Sequence, residues 1–351
     1  MLTNPEDLAF NMTLEILQGC GYSCQDCAID QSVTSDFIAD GDTERLLQLA
    51  DEMKDQGYRL HEFTLGPTDI ISSKSGLSVL DRPLVKGLAA RYSSLTVSLA
   101  LLFDKDLVAL AQKVDQLMAG KKFRLVVPTT LKNAGNAKFM NLIRQRVKLI
   151  KDNLHQTEFK LVYLTINMVN ASAGNFSLPS NWVAQHVDLD VPTLVEYVFP
   201  HSRSGFENLL NRSTFLRDFR SFTDGMKECK DTTVNRYLIP TVSDSLEVTY
   251  HQGEMYYTPV LMEKFPLFHE SFIIDRPWSA DTIIDRKANQ YHEALLENSE
   301  HPACGDCCFF DHCARGDTQL IMKHIDYDDC LLDMKNRWDL NPITNPVRSD
   351  D

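Results

Sequence analysis

Residues 11–27 read "NMTLEILQGCGYSCQDC" and hold Cys20, Cys24 and Cys27, three of the nine cysteines of the chain. A β-branched and apolar run, "NMTLEIL" (11–17), leads directly into the cysteines. Such a run predicts a strand, and the glycines and polar residues after it predict a loop at its carboxyl end. Three thiols on one short loop need a soft metal or a redox task, and the order strand then cysteine loop asks what sheet that strand belongs to.

The rest of the first 235 residues answers that question. Further runs at "RLHEFTL" (59–65), "LTVSLALL" (95–102), "KFRLVVP" (122–128), "KLVYLTINMV" (160–169) and "TLVEYVF" (193–199) alternate with stretches of helical period. Continuous apolar runs of this kind suit strands buried on both faces. In 42–56 the stripe Leu46, Leu47, Ala50, Met53 lies between Asp42 as an N-cap and Gly57 as a C-cap; 104–119 repeats it between Asp104 and Gly120. Six strands separated by helices predict a parallel α/β sheet, open or curled into a partial barrel. Ligands in such sheets bind at the carboxyl ends of the strands, which is where the cysteine loop sits.

After about residue 235 the pattern changes. "DSLEVTYHQGEMYYTPVLM" (244–262) predicts a hairpin with "HQGE" as its turn. The last fifty residues carry "CGDCCFFDHCARGD" and Cys330. This switch predicts a division into 1–235 and a small hairpin-containing domain at 236–351. In the second group Cys304, Cys307, Cys313 and Cys330 are four thiols with spacing that suits either zinc or an iron–sulfur cluster.

Composition sets the outer limits. The chain has 351 residues, 43% hydrophobic and 24% charged, as expected of a folded globular protein. A formal net charge of -14 argues against nucleic acid as the main partner. The sequence shows no secretory pattern at its start and no apolar stretch of membrane-spanning length, so the expectation is a cytoplasmic protein with reduced thiols and no membrane partner.

Cys20-x3-Cys24-x2-Cys27 straight after the first strand of an α/β chain resembles the signature of the radical SAM superfamily. The resemblance implies a partial (β/α)6 barrel of parallel strands. It implies a [4Fe–4S] cluster on Cys20, Cys24 and Cys27, with S-adenosylmethionine chelating the fourth iron. It further implies reductive cleavage to a 5′-deoxyadenosyl radical that abstracts hydrogen from a substrate, an oxidoreductase-type reaction for which a flavodoxin or ferredoxin supplies the electron. Zinc remains the alternative for the loop.

Two departures stand out. Asp26 occupies a position that is usually aromatic, and "LGPTD" (65–69) stands where the family carries Gly-Gly-Glu-Pro. Gly66 keeps a close backbone approach, Thr68 or Asp69 is expected to accept a hydrogen bond from the methionine amine, and "VPTT" offers Thr129 and Thr130, with Thr129 expected near the methionine or ribose. The tail is similar to a degenerate SPASM extension and implies an auxiliary [4Fe–4S] cluster on Cys304, Cys307, Cys313 and Cys330, with zinc as the alternative. The full pattern's further cysteine is replaced by Asp317. SPASM-like enzymes modify peptide or protein side chains by oxidation, cross-linking or rearrangement. Small molecules such as a sugar, nucleotide or amino acid are the second substrate class, and a structural or sensory protein that cleaves no SAM is the third reading.

Overall fold

The structure, a computed structural model, describes residues 8–21, 37–66, 68–102, 104–130, 133, 136–168, 193–197, 232–234, 246–257 and 273–289. Among the described residues nine strands form one sheet: β1 (Ala9–Glu15), β2 (Arg59–Gly66), β3 (Ser94–Ser98), β4 (Lys122–Thr130), β5 (Glu158–Met168), β6 (Thr193–Tyr197), β7 (Thr232–Val234), β8 (Leu246–His251) and β9 (Glu254–Tyr257). Their spatial order is β7-β6-β5-β4-β3-β2-β1-β8-β9. Every neighbouring pair is parallel except β8 and β9. The fold is therefore a mixed α/β one whose parallel sheet stays open, as in a partial barrel.

Between the strands lie α1 (Asp42–Asp55), α2 (Pro83–Arg91), α3 (Leu107–Leu117) and α4 (Ala137–Asp152). Their buried faces, including Leu46, Leu49 and Met53, Leu84 and Leu88, Leu110 and Val114, Met140 and Ile143, share one core with Met12, Phe63, Leu95 and Phe123 of the sheet. Side chains alternate along a strand, so these residues define the outer face and their neighbours define the inner one.

Register shows what lines that inner face. Asn11 of β1 sits between Glu247 of β8 and Glu62 of β2, and Thr13 sits between Thr249 and Thr64. Thr64 continues to Thr96, which continues to Arg124. The corresponding outer row is Val248, Met12, Phe63, Leu95 and Phe123. One face is thus hydrophobic core. The other is polar and knit by side chains: Arg124 pairs with Glu62 at 2.7 Å, and the Thr13 hydroxyl donates to Glu247 at 3.3 Å. The expectation of strands buried on both faces holds for β3, where Ser94–Val97 are all buried, whereas β1 and β2 alternate between buried and partly exposed residues. A register shift between Phe10 and Asn11 inserts His61 into β2, and this extra residue reaches Arg124 at 2.9 Å.

Both helix starts also differ from expectation. Asp42 lies inside α1 while Gly41, with φ 82, holds the cap position without a side-chain bond. Asp42 is drawn elsewhere: its carboxylate accepts two hydrogen bonds from Arg276, at 2.8 and 3.0 Å, and one from the Tyr250 hydroxyl at 2.8 Å. Asp106, rather than Asp104, occupies the cap position of α3, at φ 64. Gly57, at φ 90, closes α1 in the expected left-handed conformation.

The hairpin forms where its alternating arms predict it. Gln252 and Gly253 turn it with φ 49 and 84, the signs of a two-residue primed turn. Its first strand lies parallel to β1 and so extends the main sheet. Arg276 ties the turn down through the Gly253 carbonyl at 2.6 Å, and its guanidinium lies 4.2 Å from the Trp278 ring centre.

Candidate functional site

At the carboxyl end of β1 the chain enters the cysteine loop, and four hydrogen bonds lay residues 17–21 along the segment after β2. Leu17 N–H donates to Gly66 O at 3.0 Å, Gln18 N–H to Ser75 Oγ at 3.1 Å, Lys74 N–H to Gln18 O at 2.8 Å, and Gly21 N–H to Ser72 O at 3.0 Å. Gly19 takes φ 63, and a Cβ at Gly21 would stand 3.4 Å from the Ser72 carbonyl, so the glycines flanking Cys20 permit this close approach. Cys20, half-buried, has its Sγ 3.0 Å from Ser72 Oγ. A hydroxyl at a cysteine sulfur is the kind of outer partner that orients a thiolate ligand.

The segment that receives the loop is organised by Asp69. Its Oδ1 accepts from the N–H groups of Ile71 at 2.8 Å and Ser72 at 3.2 Å, while Oδ2 accepts from Ala100 N–H at 2.8 Å beyond β3. Asp69 is buried, and its carboxylate fixes the backbone that carries Ser72. Thr68 is different. It is also buried, yet its hydroxyl has no hydrogen-bond partner among the described residues. A buried hydroxyl without a partner calls for an explanation, which a bound ligand, an ordered water or an ion would each supply.

Gly66 closes β2 beside Glu15 of β1, its direct register partner. Gly66 is buried, but a Cβ built on it meets no atom within 4 Å among the described residues. Thr129 lies one residue from the carboxyl end of β4. The structure therefore brings Cys20, Gly66, Thr68 and Asp69 to one end of the sheet. Cys24, Cys27, Cys304, Cys307, Cys313 and Cys330 lie outside the described residues. Among the described residues no cluster of metal-ligating side chains assembles, and no helix is long and apolar enough to cross a membrane.

Sequence reasoning missed Glu15 and His251. Glu15 ends β1 and His251 ends β8, with His251 Nδ1 3.6 Å from Glu15 Oε2 and both side chains buried. Burial raises the Glu15 carboxyl from its ordinary 4.5 to about 8. Burial likewise lowers His251 from 6.5 to about 4, against a hydrogen bond with the Glu15 backbone. Both groups are thus held neutral near pH 7. The available signal was the alternation of Asn11, Thr13 and Glu15 within a run taken as apolar.

Comparison with solved structures identifies the fold. The structure of native anSMEcpe with bound AdoMet and Kp18Cys peptide superposes with a TM-score of 0.56 at 9% sequence identity, covering 87% of this chain and 88% of that one. The chain has the anSMEcpe fold. Native anSMEcpe with AdoMet and Cp18Cys peptide gives a TM-score of 0.55 at 10% identity, and native anSMEcpe with AdoMet alone gives 0.54 at 10%, each over 87% of this chain and 88% of the other. No protein-family model matches the sequence, and no curated protein matches it significantly.

Proposed function

We propose that the protein is a radical SAM enzyme whose substrate is a peptide or protein side chain. The observation that carries this is the cysteine loop itself: Cys20-x3-Cys24-x2-Cys27 follows β1 in the chain, and its first cysteine is zipped onto the Gly66–Ser75 segment, which opens with an unfilled space at Gly66 and a Thr68 hydroxyl that has no partner among the described residues. These residues fit the two groups the motif implies. Cys20, Cys24 and Cys27 would hold a [4Fe–4S] cluster, with the Ser72 hydroxyl at Cys20. Gly66 and Thr68 would receive AdoMet, Asp69 would hold their backbone in place, and Thr129 would border the same end of the sheet. When bound, the cluster and AdoMet supply a carbon-centred radical that abstracts hydrogen.

The chain's own task is then to bind, orient and exclude water. The apolar outer face keeps the sheet rigid, while the polar inner rows, Asn11 to Glu247 and Glu62 and Thr13 to Thr249 and Thr64, offer hydrogen bonds to a polar substrate. The fold shared with a protein solved with AdoMet and a peptide supports a peptide over a small molecule. In this reading 1–235 is the barrel and 236–351 an auxiliary domain that begins with the hairpin at the sheet edge, with Cys304, Cys307, Cys313 and Cys330 holding a second [4Fe–4S] cluster or zinc. The reaction would be an oxidation, cross-link or rearrangement in the cytoplasm, fed by a flavodoxin or ferredoxin.

The test is electron paramagnetic resonance of anaerobically reconstituted, dithionite-reduced protein with and without AdoMet. A cubane signal that changes on adding AdoMet is expected. A signal indifferent to AdoMet would overturn the proposal. Mass spectrometry of a peptide library against a set of sugars, nucleotides and amino acids then separates the two substrate classes.

A further inference from the structure

Glu15 is a buried carboxyl group with no cationic side chain beside it among the described residues. Its side chain is 6% exposed, and the only ionisable side chain within ion-pair distance among the described residues is His251 at 3.6 Å. His251 is itself 3% exposed and kept neutral by its surroundings, so it offers no counter-charge. The other charged or titratable groups described on this face are committed elsewhere: Arg124 of β4 pairs with Glu62 and contacts His61 of β2, and on β8 Glu247 accepts from Thr13. A charge buried this deeply is expected to be paired or else to neutralise itself by binding a proton. Among the described residues, the neighbouring position on β2 leaves room. Glu15 is the register partner of Gly66, where a Cβ would meet nothing within 4 Å among the described residues, and Thr68 with its orphaned hydroxyl follows two residues later.

We propose that Glu15 is the buried counter-ion for AdoMet, a cationic ligand, at the carboxyl end of β1 and β2. This rests on the assignment of AdoMet to that end of the sheet and deepens it by naming the residue that answers the ligand's positive charge. AdoMet carries a permanent sulfonium charge, which a carboxylate at the bottom of a desolvated pocket stabilises far more than water-exposed carboxylates do. Without ligand Glu15 holds a proton; when the cation arrives the proton leaves to solvent and the carboxylate stays ionised. No bond other than that O–H is broken, and no electron is transferred. Binding is then linked to proton release, and AdoMet affinity rises with pH until Glu15 is ionised in the free protein as well.

The experiment is anaerobic isothermal titration of AdoMet into reconstituted full-length protein, in buffers of different ionisation enthalpy, with wild type beside Glu15→Gln. Gln matches the shape of the protonated carboxyl, and Glu15→Asp serves as a second variant that restores the charge. At pH 7 wild type should release about one proton more than Glu15→Gln, the subtraction cancelling whatever AdoMet's own amino group gives up. Wild-type affinity should fall roughly tenfold from pH 9 to pH 7 relative to the variant, for a group titrating near 8. Glu15→Asp should recover part of that difference. Equal proton release and parallel pH profiles in wild type and Glu15→Gln would overturn the counter-ion role while leaving AdoMet binding intact. Absence of AdoMet binding by wild type would remove both this role and the functional assignment beneath it.

Discussion

Replacing Glu15 by Gln should reshape the pH dependence of stability in a way that follows from two opposed titrations. Glu15 is raised from 4.5 to about 8 and His251 lowered from 6.5 to about 4, both chiefly by burial. Between its ordinary and folded values each group changes stability by about 1.4 kcal/mol per pH unit. Glu15 favours the fold below pH 4.5, and that contribution is lost as pH rises toward 8. His251 runs the other way: its contribution is complete above 6.5 and is lost as pH falls toward 4. Between pH 4.5 and 6.5 the two slopes cancel, so the pair adds nothing to the pH profile. From 6.5 to 8 only Glu15 acts, and the pair's contribution falls by about 2 kcal/mol. In Glu15→Gln that fall disappears, and stability instead climbs by about 3 kcal/mol from pH 4 to 6.5. Urea denaturation of the full chain without AdoMet, followed by circular dichroism at half-unit pH steps, reads both curves. Groups that titrate in both proteins drop out of the difference curve, which should fall by about 5 kcal/mol between pH 4.5 and 8. A flat difference curve would refute the claim that Glu15 is buried without a counter-charge.

Arg276→Ala leaves the buried Asp42 carboxylate with Tyr250 as its one partner among the described residues; because Arg276 itself is half-exposed, the loss of its hydrogen bonds should lower stability by about 2 kcal/mol in urea denaturation. Asp115→Ala removes the acceptor for the N–H groups of His155, Gln156 and Thr157, at a cost of about 2 kcal/mol. Burial pushes Asp115 up, but those N–H groups outweigh it and set it below its ordinary 3.8, so the wild-type advantage should persist down to that pH and be lost only in stronger acid. Thr68→Val should weaken AdoMet binding roughly tenfold by titration calorimetry without lowering stability, because the hydroxyl it removes has no partner within the described protein.

Much of the fold was legible in the chain because local period and turn chemistry agree with it. The runs 59–65 and 122–128 fall within β2 and β4, and "HQGE" turns the hairpin. What escaped was set by distant partners. Asp42 has the composition of a cap, but Arg276 and Tyr250, more than 200 residues on, claim its carboxylate. β3 was expected to continue to residue 102, yet it ends at Ser98, and Leu101 then adopts φ 53 and turns the chain away. Glu15 and His251 meet only because β8 lies against β1, a parallel pairing that a hairpin sequence does not announce. At this end of the sheet, the positions of Cys20 just after β1 and of Gly66 at the close of β2 were legible from the strand runs. The division of labour between Thr68 and Asp69 was not, since both are short polar residues in one turn and only the backbone donors around Asp69 distinguish them.

The central claim is that the loop after β1 prepares AdoMet for reductive cleavage. Its most direct test is 5′-deoxyadenosine formation by anaerobically reconstituted protein supplied with AdoMet and a strong reductant, wild type beside Cys20→Ala. Product from wild type and none from Cys20→Ala is the predicted result. Equal product from both, or none from wild type with its clusters intact and candidate peptides present, would contradict it.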